Sequence, residues 1–416
     1  MNMRRLLVVI AILSCAPAVK ATPARPGSKA RHSYLFAWCG DMTPMENMKP
    51  TGTSDFLAVI DADPSSRRYG RVITTTPTGI PGIMPHHTGY EMSADGLLFA
   101  NDFELGRTWI FDLHDPLSPK VVTSFGDVDG YSHPHSSLSL PDGNVLMTFQ
   151  YRGDAMGPKA EGGGLVEIDN AGHPIRTGTA LDLTQPNTFI RPYGVAAVPA
   201  LDRAVSTNAA MHYWEGGHAD TVQLWQLSTL RLLNTVVLPP SSEGAQYAPG
   251  EPRVLGDGRS VMIRTFTCGL YLLRGLQKAN PTVRFVYRFP GGSCGVPVRL
   301  GHWWLQTVPQ THSLTVLDIS IPEQPREVSR LELPDQQPHW IAGDPSGTRI
   351  VLDSGENVSD RRIFMIDFNP QTGAVILDKS LHDVGSEQPG VSTNGKVWPN
   401  EGFLRDAHCH GIVFSR

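Results

Sequence analysis

Hydrophobic and polar positions along this chain recur as a unit. A short apolar run ending near Asp, a turn with Pro or Gly and a second apolar run occur seven times. The copies are Leu57-Ala-Val-Ile-Asp61 with Arg71-Val-Ile, Thr108-Trp-Ile-Phe-Asp112 with Lys120-Val-Val, and Gly164-Leu-Val-Glu-Ile-Asp169 with Pro174-Ile-Arg. They continue with Val222-Gln-Leu-Trp-Gln-Leu227 and Leu232-Leu-Asn-Thr-Val-Val, and with Gly269-Leu-Tyr-Leu-Leu273 and Val283-Arg-Phe-Val. The last two are Leu314-Thr-Val-Leu-Asp318 with Arg326-Glu-Val, and Ile363-Phe-Met-Ile-Asp367 with Ala374-Val-Ile-Leu. Their starts are 45 to 58 residues apart. Between copies lies a turn followed by another apolar run, as in Ala94-Asp-Gly-Leu-Leu-Phe-Ala100, Pro141-Asp-Gly-Asn-Val-Leu-Met147, Gly256-Asp-Gly-Arg-Ser-Val-Met-Ile263 and Pro345-Ser-Gly-Thr-Arg-Ile-Val-Leu352. Asp-Gly between apolar runs marks a tight hairpin, because Gly accepts the positive φ the turn needs. Each repeat therefore predicts about four antiparallel strands. Seven such units predict an all-β, seven-bladed β-propeller over residues 22–416, with six or eight blades if a terminal copy is miscounted.

Composition agrees with this reading. Gly (41) and Pro (34) are spread along the 416 residues, which suits short strands and turns rather than a helical bundle. Hydrophobic residues make up 40%, enough for a sizeable core, and charged residues only 18%. A formal net charge of −5 makes nucleic acid a poor partner. Residues 1–21 read as an export signal: Arg4 and Arg5, an apolar run at 6–14, then small residues. Cleavage near Ala18 or Ala21 gives a soluble periplasmic or secreted form. Alternatively, Ile12-Leu-Ser-Cys15 resembles a lipoprotein box, which would place a lipid on Cys15. No later segment is a membrane span by length.

The histidines fall at equivalent points of the repeat. If strand A is innermost and the Asp-Gly turn joins A to B, then His87, His135 and His339 each begin a strand A, eight or nine residues before Gly96, Gly143 and Gly347. His408 should begin the strand A that closes the ring. His212 and His312 sit in B–C turns, on the same face as the starts of A. Histidines from separate blades thus converge near the axis. Imidazole is a common ligand for copper, zinc and iron, so a metal site is one reading and a wet, polar channel the other. His86, His133 and His410 adjoin better-placed histidines and, by strand alternation, face elsewhere. Beyond the export segment the cysteines are Cys39, Cys268, Cys294 and Cys409. Cys268 in a B–C turn and Cys294 near the next strand A come close, either as a disulfide or as thiols near a metal.

These residues resemble the selenium-binding protein family, which includes copper-dependent methanethiol oxidases. Cys39-Gly-Asp-Met-Thr-Pro-Met-Glu-Asn-Met-Lys49 is similar to the family's N-terminal motif, and Asp55-Phe-Leu-Ala-Val-Ile-Asp-Ala-Asp-Pro64 to its first strand and turn. His86-His-Thr-Gly-Tyr90 is similar to His-His-Ser-Gly-Trp, and His135-Ser-Ser with Gly143-Asn-Val-Leu-Met147 to the second histidine segment. His312 with Asp318-Ile-Ser-Ile-Pro322 and the C-terminal Ala407-His408 complete the series. The resemblance implies a seven-bladed propeller, copper held by His86, His87, His135, His312 and His408, and oxidation of methanethiol by O2 and water to formaldehyde, hydrogen sulfide and hydrogen peroxide. The repeat register adds His339 to that set. The chain departs from the family in length and in lacking a cysteine-rich stretch after His-His, since Tyr90-Glu-Met-Ser-Ala-Asp95 has no thiol. Two functions follow: an exported copper oxidase of small thiols, or a non-enzymatic propeller that binds metal or docks a partner.

Overall fold

Alternation within single strands explains how the sheets stack. In the strand Leu97–Asp102, Leu98 and Ala100 pack on Phe36, Trp38 and Val59 on one side, whereas Phe99 packs on Val145, Met147 and Phe149 on the other. A sheet with two apolar faces must be covered on both, and a ring of sheets does this for every member.

The structure is a computed structural model describing residues 32–41, 53–153, 156–212, 215, 217–241, 246–355, 358–400 and 404–416. The export segment and Cys15 lie outside the described residues. Ser33–Arg416 forms one unit, a β-propeller of seven antiparallel blades. From inner to outer strand, the first complete blade in chain order is Pro85–Thr88, Leu97–Asp102, Arg107–Asp112 and Lys120–Phe125. The next begins with Tyr131–Ser139, and later inner strands are Pro192–Val198, Pro249–Val254, Pro297–Leu300 and Ile341–Gly343. The repeats read from the sequence are the third and fourth strands of the blades. The Asp-Gly turns join first to second strands, with φ of 69° at Gly96 and 91° at Gly143.

The remaining blade is built from both ends of the chain. Its inner strand is His408–Phe414, paired antiparallel with Tyr34–Gly40, followed by Ser54–Asp61 and Val72–Pro81. The termini thereby pair with each other instead of leaving two open edges. Cys39 and Cys409 face each other in this register and form a disulfide. Trp38 donates its indole N–H to the Asn101 carbonyl of the next blade at 2.8 Å, and Trp340 donates to the Ile412 carbonyl, also at 2.8 Å. Both indoles are buried, so the seams on each side of the closing blade carry a hydrogen bond inside apolar packing. Cys268 and Cys294 form a second disulfide between adjacent blades. No helix among the described residues is long and apolar enough to cross a membrane.

The Cys39–Cys409 link closes a loop of 370 residues, so its removal should act strongly through the unfolded state. The Cys39→Ser, Cys409→Ser double variant is expected to lose about 2–5 kcal/mol of stability. Guanidinium unfolding followed by tryptophan fluorescence measures this. An unchanged midpoint would show that strand pairing alone closes the ring.

Candidate metal centre

The inner strands begin around the axis, and their first residues meet there. His86 and His87 lie on Pro85–Thr88 with parallel rings, centroids 4.2 Å apart. Consecutive residues of a regular strand point to opposite faces, but the register jumps between Pro85 and Thr88, and this irregularity brings both rings to the same cluster. A similar shift between Pro134 and Ser137 accompanies His135, whose ring lies 4.8 Å from His86 and 4.4 Å from His87. In the closing strand, Cys409 is tied to Cys39, and its neighbours His408 and His410 lie together with ring centroids 5.6 Å apart. His410 reaches His86 at 4.6 Å and His339 at 4.9 Å.

The sequence-predicted residues thus divide. His86, His87, His135, His339 and His408 come together. His312 does not join their ring contacts. It caps the short 3-10 turn Pro309–Thr311 with φ 52°, and its Nδ1 is engaged by the Gln336 carbonyl. The left-handed turn directs it there, so the expectation that it adds to this set is corrected. His410, expected to face elsewhere, is central. The signal for it was its i, i+2 spacing from His408, which in a strand means a shared face.

Glu251 and Tyr193 were missed. Both lie near the starts of inner strands, Pro249–Val254 and Pro192–Val198, the positions that histidines occupy in other blades. Ligand atoms of His86, His87 and His410 lie within 4.8 Å of one another, as do those of His87, His135 and Glu251. His135 Nδ1 is 3.0 Å from the Tyr193 carbonyl, to which it donates, leaving Nε2 as a buried acceptor with no hydrogen-bond partner. His87 Nε2 and both ring nitrogens of His408 are likewise buried without hydrogen-bond partners. Buried polar atoms in this state are unusual, and several lone pairs directed into one region suit a cation. Imidazole with one carboxylate suits copper, zinc, iron or nickel.

Electrostatics keeps these imidazoles neutral. Burial, then the charges of neighbouring histidines, hold His86 and His410 well below the usual imidazole range. Burial also lowers His135, His339 and His408 to about 3. Neutral imidazole is the form that binds metal.

The cluster is walled on one side. Phe103 lies 6.0 Å from His86 and 5.9 Å from His135, and on its far side contacts His133 at 5.5 Å and His212 at 6.0 Å. His212 Nε2 is 3.0 Å from Glu104 Oε1, and Arg191 pairs with Glu215 at 2.6 Å. His133 packs edge-on against Tyr151. At the other ends of the inner strands lies a cavity of about 1160 Å³, lined by Tyr90, Ser137, Arg253 and Arg299 among others. Tyr90 stacks on Trp340 between this cavity and His87.

The lowered histidines set an acid limit. A histidine whose folded pKa lies below its unfolded value near 6.5 takes up its proton more readily in the unfolded chain. Stability of the metal-free protein should therefore be full above pH 6.5 and fall towards pH 3. His408→Gln should flatten that slope in urea unfolding measured at pH 4 to 7. A slope identical to wild type would contradict the neutral, desolvated state assigned to His408.

No family model matches the chain. It is 36% identical over 120 residues to a methanethiol oxidase from Hyphomicrobium sp, covering 28% of this chain and 26% of that protein. It is 28% identical over 162 residues to a methanethiol oxidase from Ruegeria pomeroyi, covering 38% and 34% respectively. The matched segments thus span between a quarter and about a third of those relatives. Among solved structures, a hypothetical selenium-binding protein from Sulfolobus tokodaii superposes with a TM-score of 0.70 at 15% identity, covering 92% of this chain and 94% of the other. A periplasmic gluconolactonase from Pseudomonas aeruginosa gives a TM-score of 0.57 at 16% identity, covering 91% and 99%. These likenesses carry the propeller fold, and over the matched segments the chain is similar in sequence to two proteins named methanethiol oxidase.

Proposed function

We propose that this chain is an exported, copper-dependent oxidase of small thiols, with methanethiol as the model substrate. The observation that carries the reading is the convergence of His86, His87, His135, His339, His408 and His410 around one axis, with ligand atoms of His86, His87 and His410 within 4.8 Å of one another. The two relatives named methanethiol oxidase support the substrate class. The two disulfides support an oxidising compartment, and with it the export reading of residues 1–21.

The reaction is methanethiol with O2 and water giving formaldehyde, hydrogen sulfide and hydrogen peroxide. Carbon loses two electrons and O2 gains them. Copper, when bound, would supply a centre for thiolate sulfur and a path for electrons to O2. His87 and His135 would be ligands through Nε2, with the Tyr193 carbonyl fixing the His135 tautomer. Glu251 is the carboxylate nearest these rings, with Oε1 3.8 Å from His87 Nδ1. Oε1 accepts a hydrogen bond from the Ser136 hydroxyl at 3.1 Å, and Glu251 is placed to take the thiol proton or to complete the ligand set. Phe103 and the packed layer behind it would exclude water on that side.

Copper-loaded protein should consume O2 when given methanethiol. His135→Ala should lose both bound copper and turnover, because one imidazole fewer leaves the coordination incomplete. Metal analysis and an O2 electrode measure the two separately. Full copper with lost activity would make His135 a substrate-positioning residue. Stoichiometric copper in the wild type without O2 uptake on any small thiol would favour a non-enzymatic metal-binding propeller.

A further inference from the structure

Arg264 takes part neither in the proposed chemistry nor in any ion pair among the described residues. It lies on Val261–Thr265, the second strand of its blade, one strand away from the axis. The adjoining inner strand, Pro249–Val254, loses regular register between Pro249 and Pro252. Gly250 occupies that irregular stretch, and a Cβ there would come within 2.4 Å of Arg264 Cζ. The glycine makes room for the guanidinium where it crosses the inner strand. Gly194 on the neighbouring inner strand does the same for Glu251, whose Oε2 a Cβ would approach to 2.9 Å.

The guanidinium lies 3.9 Å from the Phe266 ring centroid, and Phe266 contacts Tyr193, which packs 3.7 Å from His135. This line of contacts runs from the guanidinium through Phe266 and Tyr193 to His135, so Arg264 borders the histidine cluster. Arg264 is 0% exposed, yet Nε, Nη1 and Nη2 have no hydrogen-bond partner among the described residues. The nearby acid is already engaged: Glu251 accepts from Ser136 and has Oε2 3.7 Å from Arg253 Nη1. Two guanidinium groups, Arg253 and Arg264, thus share the one carboxylate of Glu251, and one positive charge is left over. A guanidinium retains its charge in proteins, and a buried charge without a counter-charge is strongly unfavourable.

We propose that Arg264 anchors an anion site beside the histidine cluster, taking a small carboxylate or sulfonate monoanion. The planar fork of donors fits two oxygens of one such group, and the stacking on Phe266 fixes its plane. The site does not depend on thiol oxidation, and the anion is either free or the tail of a thiol.

The test uses the metal-free full chain, so that binding to copper plays no part. Acetate, methanesulfonate and the neutral isostere acetamide are titrated by calorimetry at constant ionic strength in a buffer with bulky ions. The two anions should bind and acetamide should not. Arg264→Met, which removes the charge but keeps the length, should weaken anion binding by about tenfold or more. Arg264→Lys, with charge but no fork, should fall between. Mercaptoacetate binding more tightly than acetate would identify the tail of a thiol, and equal binding a free anion. No heat with either anion in the wild type, equal binding of acetamide, or unchanged anion binding in Arg264→Met each overturns the proposal. If Arg264→Met does not fold, the contrast between acetate and acetamide in the wild type decides alone.

Discussion

Everything at the axis depends on the pairing of Tyr34–Gly40 with His408–Phe414. A propeller has no element that crosses its centre, so its inner strands hold their positions only while the ring is shut. Closure by the two ends of the chain makes the position of His408 and His410 a long-range property, fixed from 370 residues away through Cys39 and Cys409. The same strand segment supplies the covalent staple on one face and two imidazoles on the other. Opening the ring would therefore separate His410 from His86 and His339, because His410 sits on the closing strand.

Burying these imidazoles is costly by itself. His87, His135 and His408 each leave ring nitrogens with no hydrogen-bond partner in a region without bulk water, and each such group forfeits its hydration. The rings are held by close packing together with a few local bonds, such as that of His135 Nδ1 to the Tyr193 carbonyl. Phe103, Trp340 and Tyr193 pack directly on the rings; behind Phe103, Arg191 and Glu215 pair within one blade, and Glu104 and His212 pair across the intervening blade. Rings held by packing on stiff inner strands keep their lone pairs directed, which is what a coordination site requires of its supporting shell.

The architecture was legible because strand period, turn chemistry and repeat length all point to one solution. Asp95-Gly96 and Asp142-Gly143 place the A–B turns, and counting back from them finds His87, His135 and His339. Legibility ended where the backbone leaves its regular form. The shift at Pro85–Thr88 defeats the alternation rule that would separate His86 from His87, and the left-handed residue His312 turns away from its expected company. Glu251 and Tyr193 are hidden for another reason: the repeat register marks histidines only, whereas the structure repeats a position and varies the chemistry on it. Arg264 was harder still, since its approach to the axis depends on a glycine in the adjacent strand.

That last dependence says how a propeller can diversify. Inner-strand positions are few, and the fold uses each start of strand A once per blade. A large second-strand side chain can reach past the inner strand where its neighbour there has no side chain, as Gly250 allows for Arg264. Such a pair adds a charged group to the channel without altering the ring of blades, because the strand register already breaks there. The histidine cluster and the guanidinium are thus supplied by different layers of the same sheets. The first is set by the repeat, and the second by a local exception to it.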